Sequence, residues 1–364
     1  MVKCLALLAA SAGVWLAVAA VVVAAPSRPA LQVKQTVGFI ESLALDGSVV
    51  AYDVEGAQPH GPVCNRVYTW NIATRRVAKV SGAGTCGADD SSTGAGVSEL
   101  AVAGSRIAWI ANTGGLSESN DRLFTASLPK PRERKLASTM RTGDVDCVLT
   151  GRTLGGLVGS GDLLAYNIWA TAAASPGDEQ SCATKITSGS LRRITAAGTS
   201  PLRTGMDTLV AQDADRGRVA VLRTDGTVEL FSAAGKPLNA IGVDSAKEIA
   251  LAGNRLLVLT KTRRIQVYST ETGRPGAAYP VPRVAGSLAA AGNIAVYASG
   301  TALHVIRLTT GKDSVVGTAR KNIVAVAASN RAIAYAYNVY ERVHKPATYR
   351  DVGTVAVILV SQLG

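Results

Sequence analysis

Short runs of alternating apolar and polar residues, separated by Gly or Asn turns, follow one another along the chain from about residue 31 onward. One turn with the strand after it, Gly104-Ser105-Arg106-Ile107-Ala108-Trp109, recurs in recognisable form. Copies begin at Gly47, Gly104, Gly161, Arg218, Asn254, Asn293 and Arg331. Their spacing is about 57 residues at first and about 38 later, which indicates an array of similar units.

Each copy has the same surroundings. A strand rich in small residues precedes it, as in Ser98–Ala103, and an alternating third strand follows it, as in Leu303–Leu308. A Thr/Gly turn and a short fourth strand complete the unit, and no helix-period segment of useful length competes after residue 26. The sequence therefore predicts an all-β fold, a seven-bladed β-propeller of four-stranded antiparallel blades, whose small first strands line the crowded axis.

The two ends of the repeat array complement each other. The seventh unit finishes with its third strand, Thr354–Leu359, while a spare strand, Leu31–Gln35, precedes the first unit. Pairing of these two strands would remove an exposed sheet edge. We therefore predict that the N-terminal strand completes the last blade and closes the ring.

The repeated units resemble the WD40-like repeats of TolB-type propellers and of dipeptidyl-peptidase propeller domains. The segment Gly104 to Trp109 is the copy most similar to their pattern of Gly, one or two residues, then Ile-Ala-aromatic. The usual Ser-Pro-Asp-Gly turn is reduced to Leu45-Asp46-Gly47, and the chain has neither the Trp-Asp dipeptide nor a kelch double glycine. The resemblance implies a scaffold or interaction role and carries no activity across.

Residues 1–25 form a segment distinct from the domain of residues 26–364. Lys3 is followed by an uncharged apolar run from Cys4 to Ala25, with small residues suited to cleavage at positions 17–20. The run is also close to the length of a membrane span. We interpret it as a signal peptide or, alternatively, a retained N-terminal membrane anchor. Both interpretations predict an exported, extracytoplasmic domain, either secreted or anchored by residues 4–25.

Hydrophobic residues make up 47% of the chain, which excludes a disordered protein, and the net charge is +12. The basic residues form short clusters in different units, among them Arg75-Arg76, Lys130 to Lys135 and Arg263-Arg264. We expect these clusters to be scattered over a solvated surface, and we expect no nucleic-acid partner, because nucleic acid requires basic residues on one face. Attraction to an anionic envelope surface or polymer is the alternative.

Four cysteines follow the N-terminal segment: Cys64, Cys86, Cys147 and Cys182. An even number in an exported chain predicts two disulfides, and Cys64–Cys86 with Cys147–Cys182 are the most local pairings. Cys64 and Cys182 fall in second-to-third-strand loops, and Cys86 and Cys147 in the links that lead into units 2 and 3. Each disulfide would staple a long loop to its own blade.

Loop length differs between the units. The predicted loop between second and third strands is long in unit 1 (Asp53 to Arg66), unit 2 (Ala111 to Asp121), unit 3 (Thr171 to Lys185) and unit 7 (Asn338 to Gly353), and short in units 4, 5 and 6. Ring closure would make these four loops contiguous on one face. Such loops carry function when a rigid scaffold holds them, although neutral insertion is the alternative.

The candidate binding residues lie in or beside these loops: His60, Asp89, Asp90, Asp146, Asp178, Glu179, Tyr340, His344 and Tyr349. The carboxylates lack the spacing of a calcium loop, and two histidines without a third ligand do not make a site, so we expect no metal and no cofactor. Tyr340 and Tyr349 are contact candidates because Tyr is favoured at interfaces. The alternative for all of them is a solvated loop surface.

The sequence favours an exported, non-enzymatic monomer that binds a protein or an envelope polymer through the long loops of blades 7, 1, 2 and 3. The alternative is an extracytoplasmic enzyme, of the glycan lyase or hydrolase type, at the mouth of the central channel. Few titratable groups occur in the first strands beyond Glu41, Glu99 and Glu248. An enzyme should present paired carboxylates at the channel mouth, whereas a binding module should present an apolar or aromatic patch on the loop rim.

Overall fold

A computed structural model describes residues 31–34, 38–55, 65–82, 85, 94–114, 118–144, 147–173, 184–205, 211–343 and 348–363. Within these ranges the chain consists of β-strands, turns and one short 3-10 helix, Val360–Gln362, with no α-helix. The described part of the chain contains no helix long and apolar enough to cross a membrane. The all-β prediction is confirmed.

The strands fall into units of four, numbered here as in the sequence. Unit 1 contains β2 (Leu43–Asp46), β3 (Val49–Val54), β4 (Arg66–Asn71) and β5 (Arg76–Lys79). Unit 2 contains β6 (Gly94–Ala103), β7 (Arg106–Gly114), β8 (Glu118–Ser127) and β9 (Arg134–Asp144). Unit 3 contains β10 (Cys147–Ser160), β11 (Leu163–Ala173), β12 (Thr184–Ile194) and β13 (Thr199–Thr204).

Units 4 to 7 are built in the same way. Unit 4 contains β14 (Ala211–Asp215), β15 (Arg218–Leu222), β16 (Thr227–Ser232) and β17 (Pro237–Gly242). Unit 5 contains β18 (Ala246–Ala252), β19 (Arg255–Thr260), β20 (Arg264–Ser269) and β21 (Pro275–Pro280). Unit 6 contains β22 (Ala285–Ala291), β23 (Ile294–Ser299), β24 (Ala302–Arg307) and β25 (Asp313–Thr318). Unit 7 contains β26 (Ile323–Ala328), β27 (Ala332–Val343), β28 (Thr348–Leu359) and β1 (Leu31–Lys34).

Within each unit, consecutive strands pair antiparallel. β9 also pairs with β10, so that units 2 and 3 share one eight-stranded sheet. In unit 7 the fourth strand comes from the other end of the chain, because β1 pairs with β28 in the register Leu31↔Val357 to Lys34↔Thr354. The N-terminal strand therefore completes the last four-stranded sheet, as its sequence predicts.

The hydrophobic core is divided into seven clusters, each lying between two neighbouring units. One of them joins Tyr52 and Trp70 of unit 1 to Ala334 and Val357 of unit 7. The aromatic residues that end the repeated motif are almost fully buried, namely Tyr52, Trp109, Tyr166, Tyr297 and Tyr335. Their side chains belong to the clusters between units, and burial of such apolar surface is the main source of stability for a fold of this kind.

Each four-stranded meander has two ends. The turns between first and second strands and between third and fourth strands lie at one end, called here the turn end, and the remaining connections lie at the opposite link end. At the turn end, Asp46 Oδ2 accepts hydrogen bonds from Gly104 N (2.7 Å) and Gly161 N (3.0 Å). Ser329 Oγ donates to the Gly47 carbonyl (3.0 Å), which joins unit 7 to unit 1.

The same kind of contact joins other neighbouring turns. Arg106 donates to the Asp162 carbonyl, Arg216 N donates to Ser160 Oγ, Gly253 N donates to Asp215 Oδ2 and Arg255 donates to Asn293 Oδ1. Because the partners belong to successive units, the first-to-second-strand turns lie beside one another at a common end.

Candidate functional site

Strands of three units are much longer than the rest and project at the link end. β27 and β28 each have 12 residues, and β10 has 14, whereas the strands of units 4, 5 and 6 have five to seven. The predicted loops of units 2, 3 and 7 are therefore wrong in part. Eight of the eleven predicted loop residues in unit 2 and twelve of the sixteen in unit 7 extend the two flanking strands into hairpins. In unit 3 five of fifteen do so, and residues 174–183 lie outside the described residues. The polar composition of these segments lacks the alternation of a half-buried strand.

The unit 7 hairpin is stabilised by continuous strand pairing and by a cross-strand ion pair. Its register runs from Ala332↔Leu359 to Val343↔Thr348 without a shift. Glu341 and Arg350 lie opposite each other, and their side chains form an ion pair (Oε2 to Nη2, 3.1 Å). Cross-strand pairs of this kind stabilise a sheet that has water on both faces.

Ten of the candidate residues lie outside the described residues: His60, Asp89, Asp90, Asp146, Asp178, Glu179, His344, Cys64, Cys86 and Cys182. Tyr340 lies in β27, where it pairs with Asp351, and Tyr349 lies in β28 opposite Arg342. Cys147 is the first residue of β10 and pairs with Asp144. Its assignment to a link is therefore wrong, while the two disulfide pairings stay predictions.

Apolar side chains are exposed at the link end of units 6, 7 and 1. Val284 immediately precedes β22 and Val324 lies at the start of β26, with exposed fractions of 67% and 41%. Tyr340 is 67% exposed and packs edge-to-face on Phe39, with 5.1 Å between ring centroids. We call Phe39, Val284, Val324 and Tyr340 the apolar rim.

The chain on either side of Phe39 is fixed to the unit 7 hairpin. The side chain of Asn338 accepts a hydrogen bond from Ile40 N (2.9 Å) and donates one to the Ile40 carbonyl (2.8 Å). Gly38 N donates to the Asp351 carbonyl and Gly353 N donates to the Gly38 carbonyl. Phe39 and Tyr340 are thus held in contact by hydrogen bonds that tie the segment Gly38 to Ile40 to the paired strands β27 and β28.

Unit 1 has a buried polar anchor at the same end. Asp53 Oδ1 accepts hydrogen bonds from Glu41 N (3.0 Å) and Ser42 N (2.7 Å), and Asn65 donates to Oδ2 (3.1 Å). Burial raises the pKa of Asp53 to about 6, against the lowering effect of these donors. The side chain is completely buried, so it supports the rim and is not itself available to a ligand.

A central cavity of about 500 Å³ is lined by the first strands of the seven units and by several of their turns. Most of its wall is apolar or small, and its carboxylates are Asp46, Asp213 and Asp215. Asp213 Oδ2 accepts a hydrogen bond from Leu251 N (2.6 Å), and Asp215 Oδ2 accepts one from Gly253 N (2.7 Å). Burial raises the pKa of Asp213 to about 7.

Two glutamates of the first strands have a comparable role. β22 is irregular between Gly286 and Ala289, and Glu248 of the preceding unit accepts hydrogen bonds from Ser287 N (3.2 Å) and Leu288 N (2.6 Å). Glu99 does the same for Gly156 N and Leu157 N at the irregularity of β10. These carboxylates satisfy backbone donors that a β-bulge removes from the strand ladder.

Asp213, Asp215 and Asn338 are not among the candidate residues predicted from the sequence. Asp213 and Asp215 occupy alternate positions of a strand otherwise rich in Ala, and this was the signal that could have found them. No group of three or more His, Cys, Asp or Glu side chains suited to a metal ion occurs in the described part of the chain.

No protein-family model matches the chain, and no curated protein matches it. Among solved structures, the chain is similar to the computationally designed Ika8 protein, with 13% identity and a TM-score of 0.46 over 90% of this chain and 97% of that one. It is also similar to the computationally designed Ika4 protein, with 15% identity and a TM-score of 0.31 over 40% of this chain and 89% of that one. At these TM-scores, neither similarity defines the fold or the function of this chain.

Proposed function

We propose that the seven units form a closed ring, a seven-bladed β-propeller in which β1 completes the last blade. Three observations support the ring. An apolar cluster fills every space between successive units, including the space between units 7 and 1. Ser329 bonds to the turn of unit 1. The first strands of all seven units line one cavity. An experimental structure with six blades, or with an open ring, would contradict this architecture.

We propose further that this propeller is an exported, non-enzymatic binding module, whose partner is a protein or an envelope component. The observation that carries the proposal is the apolar rim, where Tyr340 and Val284 are each 67% exposed and Tyr340 lies on the paired strands of unit 7. Exposed aromatic and aliphatic groups on fixed backbone lose little entropy on binding. The rim lies beside the extended hairpin of unit 7, within the region of long loops that the sequence marks as the binding face.

The extended strands of units 2 and 3 suit the same role. Their shared eight-stranded sheet adds a second raised surface at the link end, where Met140 is 52% exposed. Hairpins that pair over many residues keep their shape when a partner binds. The binding surface of this proposal therefore consists of the apolar rim together with the link-end hairpins of units 7, 2 and 3.

The test is affinity capture with the full chain from an extract of its own cell envelope. The variant Y340S removes the exposed ring of the rim, and L238A removes a 48% exposed apolar side chain of β17 as the matched control. We expect at least one partner to be lost with Y340S and retained with L238A. Retention of the same partners by both variants would exclude the rim, and recovery of no specific partner would count against the binding function.

The alternative of a glycan lyase or hydrolase has one observation in its favour. Asp213 has a pKa raised to about 7 and lies two residues from Asp215 on the wall of the cavity, and a carboxyl group with a raised pKa in a cavity is a candidate general acid or base. The binding function is preferred to this enzymatic one because the carboxylates of Asp213 and Asp215 already accept hydrogen bonds from backbone N–H groups of unit 5. Turnover of an envelope glycan by the native chain, abolished in D213N, would reverse the order.

A further inference from the structure

The net charge of the protein is concentrated at the turn end. The turn-end segments are the turns between first and second strands and between third and fourth strands, each taken with the two strand residues on either side of it. These segments hold sixteen of the 38 Lys and Arg and only six of the 26 Asp and Glu. Residues 31–364 carry twenty basic and twenty acidic residues elsewhere. The expectation of scattered basic clusters is therefore wrong in part. Arg75-Arg76 and the run from Lys130 to Lys135 both lie at the turn end, whereas Arg263-Arg264 lies at the link end.

The exposed members of this set are almost all basic. Eleven of the sixteen basic residues are exposed: Arg75, Arg76, Lys130, Arg132, Arg134, Lys135, Arg216, Lys236, Arg274, Lys312 and Arg331. The ion pairs of the described residues involve none of these eleven side chains. The exposed acidic residues of the same segments are Asp162, Glu271 and Asp313.

The acidic residues of the turn end are largely engaged. Asp46 and Asp215 are partly buried and accept backbone N–H groups of neighbouring turns. Glu133 accepts hydrogen bonds from Gly82 N and Thr85 Oγ1, and Asp313 accepts one from the Tyr297 hydroxyl and lies 3.2 Å from His304 Nδ1. The potential that this end presents to its surroundings is therefore strongly positive.

The N-terminal part of the chain reaches the fold at this same end. β1 is antiparallel to β28, and Leu31 pairs with Val357, near the turn end of that strand. Five residues, 26–30, separate Leu31 from the apolar run that ends at Ala25, and two of them are Pro26 and Pro29. Five residues span at most about 17 Å when fully extended. Whatever holds residues 4–25 must therefore lie close to the turn end.

We propose that the turn end lies against an anionic lipid surface, into which residues 4–25 insert. The apolar run and the basic face are separate observations that point to the same end of the molecule. Anionic lipids attract clustered Lys and Arg only within about one Debye length of the surface, roughly 8–10 Å. A connection of at most about 17 Å allows the turn end to approach the surface to within that distance. The link end, with the apolar rim, then faces away from the lipid.

The test uses lysines of the native chain as probes. The full chain is reconstituted into vesicles of phosphatidylcholine with phosphatidylglycerol, or of phosphatidylcholine alone, and treated with a lysine-acylating reagent before mass spectrometry. The exposed turn-end lysines are Lys130, Lys135, Lys236 and Lys312, and the exposed link-end lysines are Lys79, Lys185, Lys247, Lys261 and Lys321. We expect the turn-end set alone to react at least about fivefold more slowly in the anionic vesicles, the effect of one charge near such a surface.

Two charge variants with the same net change provide the control. R75Q/R132Q/R274Q/R331Q removes four turn-end charges, and R263Q/R264Q/R283Q/R320Q removes four exposed charges at the link end. We expect only the first variant, or high salt, to restore the reactivity of the turn-end lysines.

Equal reactivity of the two lysine sets in anionic vesicles would overturn the proposal. Protection that persists in neutral vesicles would also overturn it, since the tether alone would then account for it. Protection by a soluble polyanion but not by anionic vesicles would assign this face to a polymer instead. Because the apolar rim lies at the other end, these outcomes are independent of the capture experiment.

Discussion

Replacement of Glu248 by Ala tests whether the acidic residues of the first strands hold neighbouring units together. The carboxylate accepts Ser287 N at 3.2 Å and Leu288 N at 2.6 Å, where β22 loses its regular register. E248A leaves both donors without this acceptor. An unsatisfied buried N–H costs about 1–3 kcal/mol, and water reaches a side chain that is 30% exposed, so we expect a total loss near 2 kcal/mol.

The assay is urea unfolding of the full chain, followed by tryptophan fluorescence and circular dichroism. E248Q keeps one carbonyl acceptor, and we expect its free energy of unfolding to fall by only about half as much as that of E248A. E271A removes an exposed glutamate from a turn and serves as the control. A free energy of unfolding for E248A within about 0.5 kcal/mol of that for E271A would refute the reasoning, because surface substitutions alone have effects of that size.

Two further perturbations follow from the fold. Burial raises the pKa of Asp213 from 3.8 to about 7, so its contribution to stability is complete below pH 3.8 and is lost as the pH rises through 7. We therefore expect the melting temperature of D213N to rise relative to that of the native chain between these pH values, and parallel profiles would contradict the shift. Deletion of residues 31–34 exposes the edge of β28, and we expect a lower melting temperature and aggregation on heating, whereas an unchanged melt would exclude β1 from the stable sheet.

The repeat and its strands could be predicted because each unit contains, within its own sequence, both the alternation of apolar and polar residues and the turn residues that define its strands. The strand after each turn was recognisable from a few residues, as with Ile107-Ala108-Trp109, and its aromatic residue is buried. The spare N-terminal strand was predictable for a similar reason, since the seventh unit lacked a fourth strand and β1 supplies it.

The hairpin extensions could not be predicted in the same way. Residues such as Thr184 and Lys185 lie in β12 but are exposed, and a strand with water on both faces carries no apolar period. The roles of Glu99 and Glu248 could not be predicted from the alternation of apolar and polar residues either. Their hydrogen-bond partners lie in the next unit, at irregularities of the strand register. The position of an acidic residue in the sequence does not identify the backbone N–H groups from which its carboxylate accepts hydrogen bonds.

The pairing of β1 with β28 also determines the order in which this protein can be completed. Residues near both ends of the chain meet there, and the contact between Asn338 and Ile40 spans 298 positions. A chain that is synthesised from its N-terminus therefore makes β1 first and its partner last, so the early strand waits unpaired while all the intervening units are made. Pairing of β1 with β28 can therefore occur only after all the intervening units have been made, and a chain interrupted before Thr348 would leave β1 and β27 without their common partner strand.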